Sequence, residues 1–343
     1  MKKISLNKLD ALFSEIAKSE TLYLPVDGND GRAAFKKWSE GTKMSSALKT
    51  VKSPKDFFFP QTEDLMEFKV EGKTIEVVDT RKETEDFVVF GVRACDVKSF
   101  DVLDRVFLSE PVDTYYANRR AHGTIVSLAC SRPSETCFCS TFDINAADPA
   151  GDVAAWMTES ELYLEAKTEK GASLLEKLNA LTEDADTAAV DAQKAAIGEI
   201  MKKLPLADVT TEGFGGGKTK EFFDREEWKE LSEACLGCGT CTFVCPTCQC
   251  YDIKDFNTGR GVIRFRCWDS CMYSEFTKMA HGNPRLTQKE RFRQRFMHKL
   301  VYFPANNDGM YSCVGCGRCV EKCPASLNIV KVIKAFENQG GNN

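Results

Sequence analysis

Two groups of four cysteines carry the clearest chemistry in this sequence. Both have the spacing C-x2-C-x2-C-x3-C followed by proline: Cys235, Cys238, Cys241 and Cys245, and then Cys313, Cys316, Cys319 and Cys323. This spacing is typical of bacterial two-cluster ferredoxins, in which three closely spaced thiolates bind one [4Fe–4S] cluster and the fourth binds its neighbour. The repeat therefore predicts two [4Fe–4S] clusters.

The same rule divides the eight cysteines into two ligand sets. The first cluster takes three cysteines of the first motif and the last of the second: Cys235, Cys238, Cys241 and Cys323. The second cluster takes the complementary set: Cys313, Cys316, Cys319 and Cys245. Zinc is the alternative metal, but zinc sites favour two separated C-x2-C pairs, and neither copy has that arrangement.

A less regular group of cysteines lies in the first part of the chain: Cys95, Cys130, Cys137 and Cys139. Cys95 follows one predicted parallel strand, and Cys130 ends the next. Ligands of open α/β sheets gather outside the carboxyl ends of the strands, so we expect these four thiols to converge there. They predict a third [4Fe–4S] cluster, with buried free thiols as the alternative.

The other cysteines lie outside these sets: Cys248, Cys250, Cys267 and Cys271. They are either ligands of a further cluster or thiols packed beside the clusters, and the second interpretation is the one we favour. A nearby basic run, Arg291 to Lys299, predicts a solvated helix face, with a docking surface for an acidic partner as the alternative.

Alternating strand and helix patterns precede the cysteine-rich part. Short runs rich in β-branched and aromatic residues predict strands at 21–26, 74–79, 86–92 and 123–130. Residues 96–107 have helical spacing between the last two, which indicates a βαβ unit and a parallel sheet. Helical patterns also fit 187–204 and the amphipathic start of the chain, from Ile4 to Ile16.

We therefore expect two domains joined by a linker. Residues 1–210 form an α/β domain with the extra iron–sulfur site, and the polar, glycine-rich residues 211–228 form the linker. Residues 229–343 form a mainly α domain with a ferredoxin-like module of two [4Fe–4S] clusters, interrupted by a long insert at 251–310. The linker sequence GFGGGKT is one residue short of a phosphate-binding loop, and no strand leads into it.

Composition excludes several classes of protein. The 343 residues have a net charge of −5, which disfavours nucleic-acid binding. No apolar run approaches the ~20 residues that span a bilayer, and the first residues do not resemble a secretory signal. Sixteen cysteines in so large a chain indicate metal ligation in a reducing compartment, so we expect a cytoplasmic protein.

Long motifs resemble one group of iron–sulfur subunits, and they occur here in the same order: FGVRACDVKSFDVLDRVF, CSRPSETCFCS, CLGCGTCTFVCPTCQCYD, CWDSCMYSEFTKMAHGNPR, RFRQRFMHKL and CVGCGRCVEKCP. The chain resembles the β subunit of cytosolic sulfhydrogenases of the NiFe hydrogenase I type, and the corresponding iron–sulfur subunit of anaerobic sulfite reductase. The likeness covers roughly residues 50–335. Ala94 stands where the family pattern has proline, and Cys267 is additional to that pattern.

The resemblance implies an electron-transfer subunit in a hetero-oligomer, between a flavin-bearing subunit that handles NAD(P)H and a catalytic subunit. The complex would be of the hydrogenase, sulfite or sulfur reductase, or bifurcating transhydrogenase type, and a ferredoxin is a further candidate partner. The chain has no evident acid–base or nucleophile constellation and no GxGxxG fingerprint, so we expect no catalytic residue on it. The alternative is that the first-domain cluster site is itself a redox active site for a small substrate.

Overall fold

A computed structural model describes residues 1–47, 49–81 and 85–337. The strands are β1 Lys2–Ser5, β2 Thr21–Asp27, β3 Ala33–Lys37, β4 Thr62–Glu71, β5 Thr74–Asp79, β6 Phe87–Val92, β7 Gly123–Leu128, β8 Val153–Met157, β9 Glu161–Ala166, β10 Glu183–Asp184, β11 Tyr251–Asn257 and β12 Gly261–Trp268. The α-helices are α1 Leu9–Ala17, α2 Lys55–Phe58, α3 Ala94–Phe107, α4 Thr114–His122, α5 Glu169–Lys177, α6 Ala188–Lys202, α7 Thr219–Phe222, α8 Glu227–Ser232, α9 Thr240–Phe243, α10 Gln288–Met297, α11 Phe303–Asn306, α12 Arg318–Lys322 and α13 Ile329–Glu337. Of the helices in these ranges, none is long and apolar enough to cross a membrane.

The larger sheet has the strand order β10-β1-β9-β8-β7-β6-β2-β3 within the described residues. Its central strands β2, β6, β7 and β8 are parallel, with Val88 opposite Thr124 between β6 and β7. Every residue of β6 and β7 is buried, as expected for parallel strands covered on both faces. Helices α3 and α4 connect these two strands, so the predicted βαβ unit and parallel sheet are confirmed.

The apolar pattern predicts a helix from Ile4 to Ile16, but the first of these residues belong to a strand. Residues Lys2–Ser5 form β1, which pairs antiparallel with β9, and the helix begins only at Leu9. Pairing at this position satisfies the backbone N–H and C=O groups of the first residues. The strand contributes Ile4 to the core, and α1 contributes Leu12, Phe13 and Ile16.

The smaller sheet is antiparallel, with the order β11-β12-β4-β5. Strands β4 and β5 come from the first part of the chain, whereas the β11–β12 hairpin lies in the insert between the two cysteine motifs. The mainly α character expected of residues 229–343 is therefore not confirmed. The hairpin is rich in β-branched and aromatic residues, and β12 pairs with β4, placing Arg264 opposite Met66. The proposed domain boundaries remain a prediction.

A buried ion network fixes this second sheet to the first part of the chain. Arg266 of β12 donates from Nε to Glu63 Oε2 at 2.7 Å and also pairs with Asp113. Arg119 of α4 pairs with the same Glu63 carboxylate. Because Arg266 and Glu63 are both buried, each charge depends on the other for compensation.

Candidate metal centres

The two cysteine motifs fold into equivalent local structures. Each passes through a glycine in the left-handed conformation, Gly239 at φ 72° and Gly317 at φ 73°, and then enters a short helix, α9 or α12. A side chain at such a φ is disfavoured, which explains glycine at both positions. The repeated sequence therefore produces a repeated backbone turn, after which the third cysteine of each motif, Cys241 or Cys319, lies in the short helix.

One cavity is lined by the first ligand set, namely Cys235, Cys238, Cys241 and Cys323. Apolar walls formed by Met272, Phe292 and Phe296 surround these thiols and shield them from water. Burial raises the pKa of the Cys241 thiol to about 12. Cys238 is the exception, because it is exposed and its pKa is lowered by a hydrogen bond with Thr240.

The second ligand set is also brought together by the fold. Burial raises the pKa of the Cys316 thiol to about 12, and the nearby Cys245 and Cys319 contribute to this shift. Burial likewise raises the pKa of Cys313, which faces the same two cysteines. The four thiols, Cys245, Cys313, Cys316 and Cys319, thus lie close enough to repel one another as thiolates.

These two sets fit iron–sulfur clusters better than single ions. Thiolates on one zinc ion lie only ~3.8 Å apart, since the Zn–S bond is ~2.3 Å. Among the described residues, no three His, Cys, Asp or Glu side chains converge that closely around one point. A buried guanidinium is also prepared for an anionic group: Arg295 lines the first cavity, and its Nε and Nη1 have no hydrogen-bond partner within the described part of the chain.

The first-domain cysteines converge as well. Another cavity is lined by all four of them, Cys95, Cys130, Cys137 and Cys139, and also by Cys316 of the second motif. Cys95 lies at the start of α3 and Cys130 just after β7, at the carboxyl ends of neighbouring parallel strands. Burial raises the pKa of Cys139 to about 12. Burial also raises the pKa of Cys95 well above its usual value, and Asp96 adds to this shift.

The first-domain site directly abuts the second motif. The backbone N–H of Phe138 donates to Gly315 O at 2.8 Å, and Cys137 Sγ lies 3.9 Å from Cys316 O. A Cβ atom on Gly315 would approach Phe138 O to 2.3 Å, so only glycine fits there. On its other side, Cys319 of the second set faces Cys241 of the first set. The second motif set is therefore a neighbour of both other thiol groups.

The basic run does not form a solvated helix face. Arg295 and Lys299 are each only 2% exposed, and both face cysteine thiols. Lys299 Nζ donates to Thr247 Oγ1 and Ser312 O, each at 2.8 Å. Basic residues at this spacing are typical of a surface helix. Here they are buried because they face cysteines that are distant in the sequence, which the local pattern does not reveal.

Lys55 is a functional candidate that no sequence pattern indicates. It belongs to the first part of the chain, is 2% exposed, and donates from Nζ to Cys245 O at 3.1 Å and Cys248 O at 2.8 Å. Its Nζ also lies 3.7 Å from the centre of the Trp268 ring. No local motif marks a lysine that reaches a cysteine loop 190 residues away.

Comparison with known proteins agrees with this geometry. The family described as "4Fe-4S dicluster domain" matches residues 234–327, which contain both motifs. Sulfhydrogenase 2 subunit beta of Pyrococcus furiosus is 33% identical over 294 residues, covering 83% of this chain and 83% of that protein. No solved structure matches the chain. The motifs, the clustered thiols and this identity together show that the chain belongs to the sulfhydrogenase family, as a [4Fe–4S] iron–sulfur subunit that transfers electrons.

Proposed function

We propose that this chain relays single electrons through three [4Fe–4S] clusters, between a flavin-bearing subunit that handles NAD(P)H and a catalytic subunit of one complex. The serial arrangement of the three thiol sites carries the proposal. Each cluster stores and passes one electron. The ligands we assign are those of the two motifs and of the first-domain site, and no residue of the chain is assigned a catalytic role.

The two outer sites suggest where electrons enter and leave. The first motif site approaches the surface at Cys238, beside Leu236, whose side chain is 71% exposed. At the other end, the first-domain cavity is bordered by Lys49 and Arg132. In the middle site, Cys245 and Cys316 are buried, while Cys313 and Cys319 are half-buried. This arrangement suits a relay whose ends meet different partners.

The chain's own residues exclude water and supply positive charge. Phe292 and Phe296 pack beside the first site. Arg295 faces thiols of the first and second sites, and Lys299 faces thiols of the second site. Buried positive charge near a cluster favours the reduced state, because reduction adds negative charge. These cations would therefore raise the reduction potentials that burial alone would lower.

An exposed apolar surface supports the assignment of a partner subunit. On one face of the smaller sheet, Val70 lies opposite Ile75 and Phe68 lies opposite Val77. Ile75 and Val77 are 64% and 60% exposed. We call this surface, formed by Met66, Phe68, Val70, Ile75, Val77 and Val262, the apolar sheet face. Apolar surfaces of this kind are typical of subunit interfaces, and the similar P. furiosus protein is named as a subunit.

A second candidate function is supported by the lining of the first-domain cavity. Lys49, Arg93 and Arg132 border it together with the four cysteines. Such a cationic lining suits a small anionic substrate, so the site would then be a redox active site rather than a relay station. Replacement of Cys139 by Ser separates the two functions: a relay loses a cluster signal, whereas an active site also loses binding of a specific anion, with sulfite as the probe.

The relay is tested with the full chain purified without oxygen. Dithionite should bleach a brown absorbance and produce the electron paramagnetic resonance signals of reduced [4Fe–4S] clusters. NAD(P)H should neither reduce the isolated chain nor be oxidised by it, while addition of the flavin-bearing subunit should restore reduction. Sustained NAD(P)H oxidation by the chain alone would contradict the relay.

A further inference from the structure

Three cysteines outside the two motifs and the first-domain site come together in the fold. Cys248 and Cys250 precede the β11–β12 hairpin, and Cys271 follows it. The backbone N–H of Asp269 donates to Cys250 O at 3.0 Å, which holds the two ends of the hairpin together. The thiol of Cys250 lies beside that of Cys271 and faces that of Cys248, which in turn lies beside Cys245.

Buried cations surround this group. Lys55, Arg295 and Lys299 are each 2% exposed, and none forms a salt bridge with a carboxylate among residues 1–47, 49–81 and 85–337. A buried cation is costly unless an anion compensates it. Apart from Asp56, which adjoins Lys55, the anionic groups that these cations face are thiols, so the site is suited to negative charge carried by sulfur.

Lys55 distinguishes this group from the two motif sites. Arg295 and Lys299 also face motif cysteines, such as Cys241 and Cys313, and would serve those clusters in any case. The cysteines that Lys55 faces are Cys248 and Cys245, and both of its carbonyl acceptors belong to these two residues. A lysine from the first part of the chain therefore contacts the loop that joins Cys245, the last cysteine of the first motif, to Cys248.

We propose that Cys248, Cys250 and Cys271 bind a further iron–sulfur cluster, beside the second motif site. Cys267 is not part of the set, because it lies on β12 opposite Asp252, near Lys254. Three cysteine ligands leave one iron position of a cubane to a ligand that is not among these thiols. The proposal extends the relay by a branch at Cys245, but it does not depend on the direction of electron flow.

The first experiment compares iron and acid-labile sulfide in single variants of the full chain, purified anaerobically with its partner subunits. Cys248→Ser, Cys250→Ser and Cys271→Ser should each lose the same amount, up to ~4 iron ions per chain. Cys267→Ser is the matched control and should keep the wild-type content. The proposal is overturned if the Cys250 and Cys271 variants retain as much iron as the Cys267 variant.

A second experiment does not depend on whether the variants assemble. Anomalous diffraction at the iron absorption edge, from anaerobic crystals of the wild-type protein, locates iron directly. Iron bonded to the sulfurs of Cys248, Cys250 and Cys271 supports the proposal. The proposal is overturned if these three sulfurs bind no iron in crystals whose two motif sites are fully occupied. The relay itself is tested by reduction and turnover, so failure of one proposal is distinguishable from failure of the other.

Discussion

Arg318 and Asp96 form a buried, bidentate ion pair. Arg318 Nη1 lies 2.5 Å from Asp96 Oδ1, and Nη2 lies 2.8 Å from Oδ2. Arg318 stands between two cysteines of the second motif, while Asp96 directly follows Cys95 of the first-domain site. Both side chains are 1% exposed. One ion pair therefore joins two neighbouring thiol sites that come from different parts of the chain.

Removal of either partner of this pair should destabilise the protein strongly. Asp96→Asn leaves the Arg318 charge buried without its carboxylate, which typically costs about 3–5 kcal/mol. Arg105→Gln is the control, since it breaks the exposed pair with Asp308 and should cost less than about 1 kcal/mol. Anaerobic thermal unfolding followed by circular dichroism measures both. Equal effects of the two substitutions would contradict the structural role of the buried pair.

Gly315 should tolerate no side chain, because it touches the first-domain loop. Gly315→Ala places a methyl group 2.3 Å from Phe138 O, at a φ of 58°. Gly309→Ala carries a similar backbone cost at φ 79°, but its methyl group meets open space. We expect Gly315→Ala to cost about 1–3 kcal/mol more than Gly309→Ala and to lower iron content. Similar unfolding midpoints for the two variants would show that the loops are free to separate.

Local sequence was sufficient to predict the two ferredoxin-like motifs, from their cysteine spacing, and the βαβ unit that carries Cys95, from its strand and helix patterns. These features depend on short-range sequence, or on the rule that parallel strands end at one edge. The pairing of β12 with β4 depends on residues about 200 positions apart, such as Cys267 opposite Thr62, and no local pattern specifies it.

The burial of the basic run, Arg291 to Lys299, could not be predicted from the sequence, because it too depends on residues distant in the chain. Arg295 lies on a helix whose sequence is strongly polar, and a polar helix normally faces water. Its burial follows from the presence of thiols contributed by other segments. Lys55 likewise acquires its environment only from the folded chain. Sequence therefore indicated the thiols that we propose as ligands, but not the buried cations that face them.

Arg295 should set the potential of the neighbouring clusters. Arg295→Gln removes a buried positive charge that faces Cys241 and Cys319, so reduction becomes less favourable. We expect the potential to fall by roughly 40–130 mV, since buried charges several ångströms apart interact by about 1–3 kcal/mol and the cluster accepts one electron. Redox titration monitored by electron paramagnetic resonance measures this shift. Lys289→Gln is the control, because it removes the same charge from the exposed side of α10 and should leave the potential unchanged. Equal shifts of potential in the two variants would exclude a local effect of Arg295.

His298 should make stability depend on pH. Burial lowers the pKa of His298 to about 4, from 6.5, and the nearby Lys299 and Arg285 add to this shift. Between pH 7 and pH 5 the unfolded chain gains a proton at this residue while the folded chain does not. Acidification therefore removes about 2 kcal/mol of stability. His298→Asn should flatten the pH dependence of the unfolding midpoint, and the same substitution at the exposed His281 should preserve it. If the unfolding midpoint of His298→Asn still depends on pH as strongly as that of the wild-type chain, groups other than His298 cause the dependence.

The apolar sheet face should be required for assembly with a partner subunit. Val77→Asp introduces a charge at the centre of this face, which an apolar interface would bury without compensation. We expect at least a tenfold loss of affinity, equivalent to about 1.4 kcal/mol, measured by native mass spectrometry of the anaerobically purified complex. Thr74→Asp adds the same charge on the opposite face of β5 and is the matched control. Both variants should keep the iron content of the wild-type chain, because neither touches a thiol site. If Val77→Asp retains its partners as Thr74→Asp does, the interface lies elsewhere, and the exposed loop around Leu236 becomes the next surface to substitute.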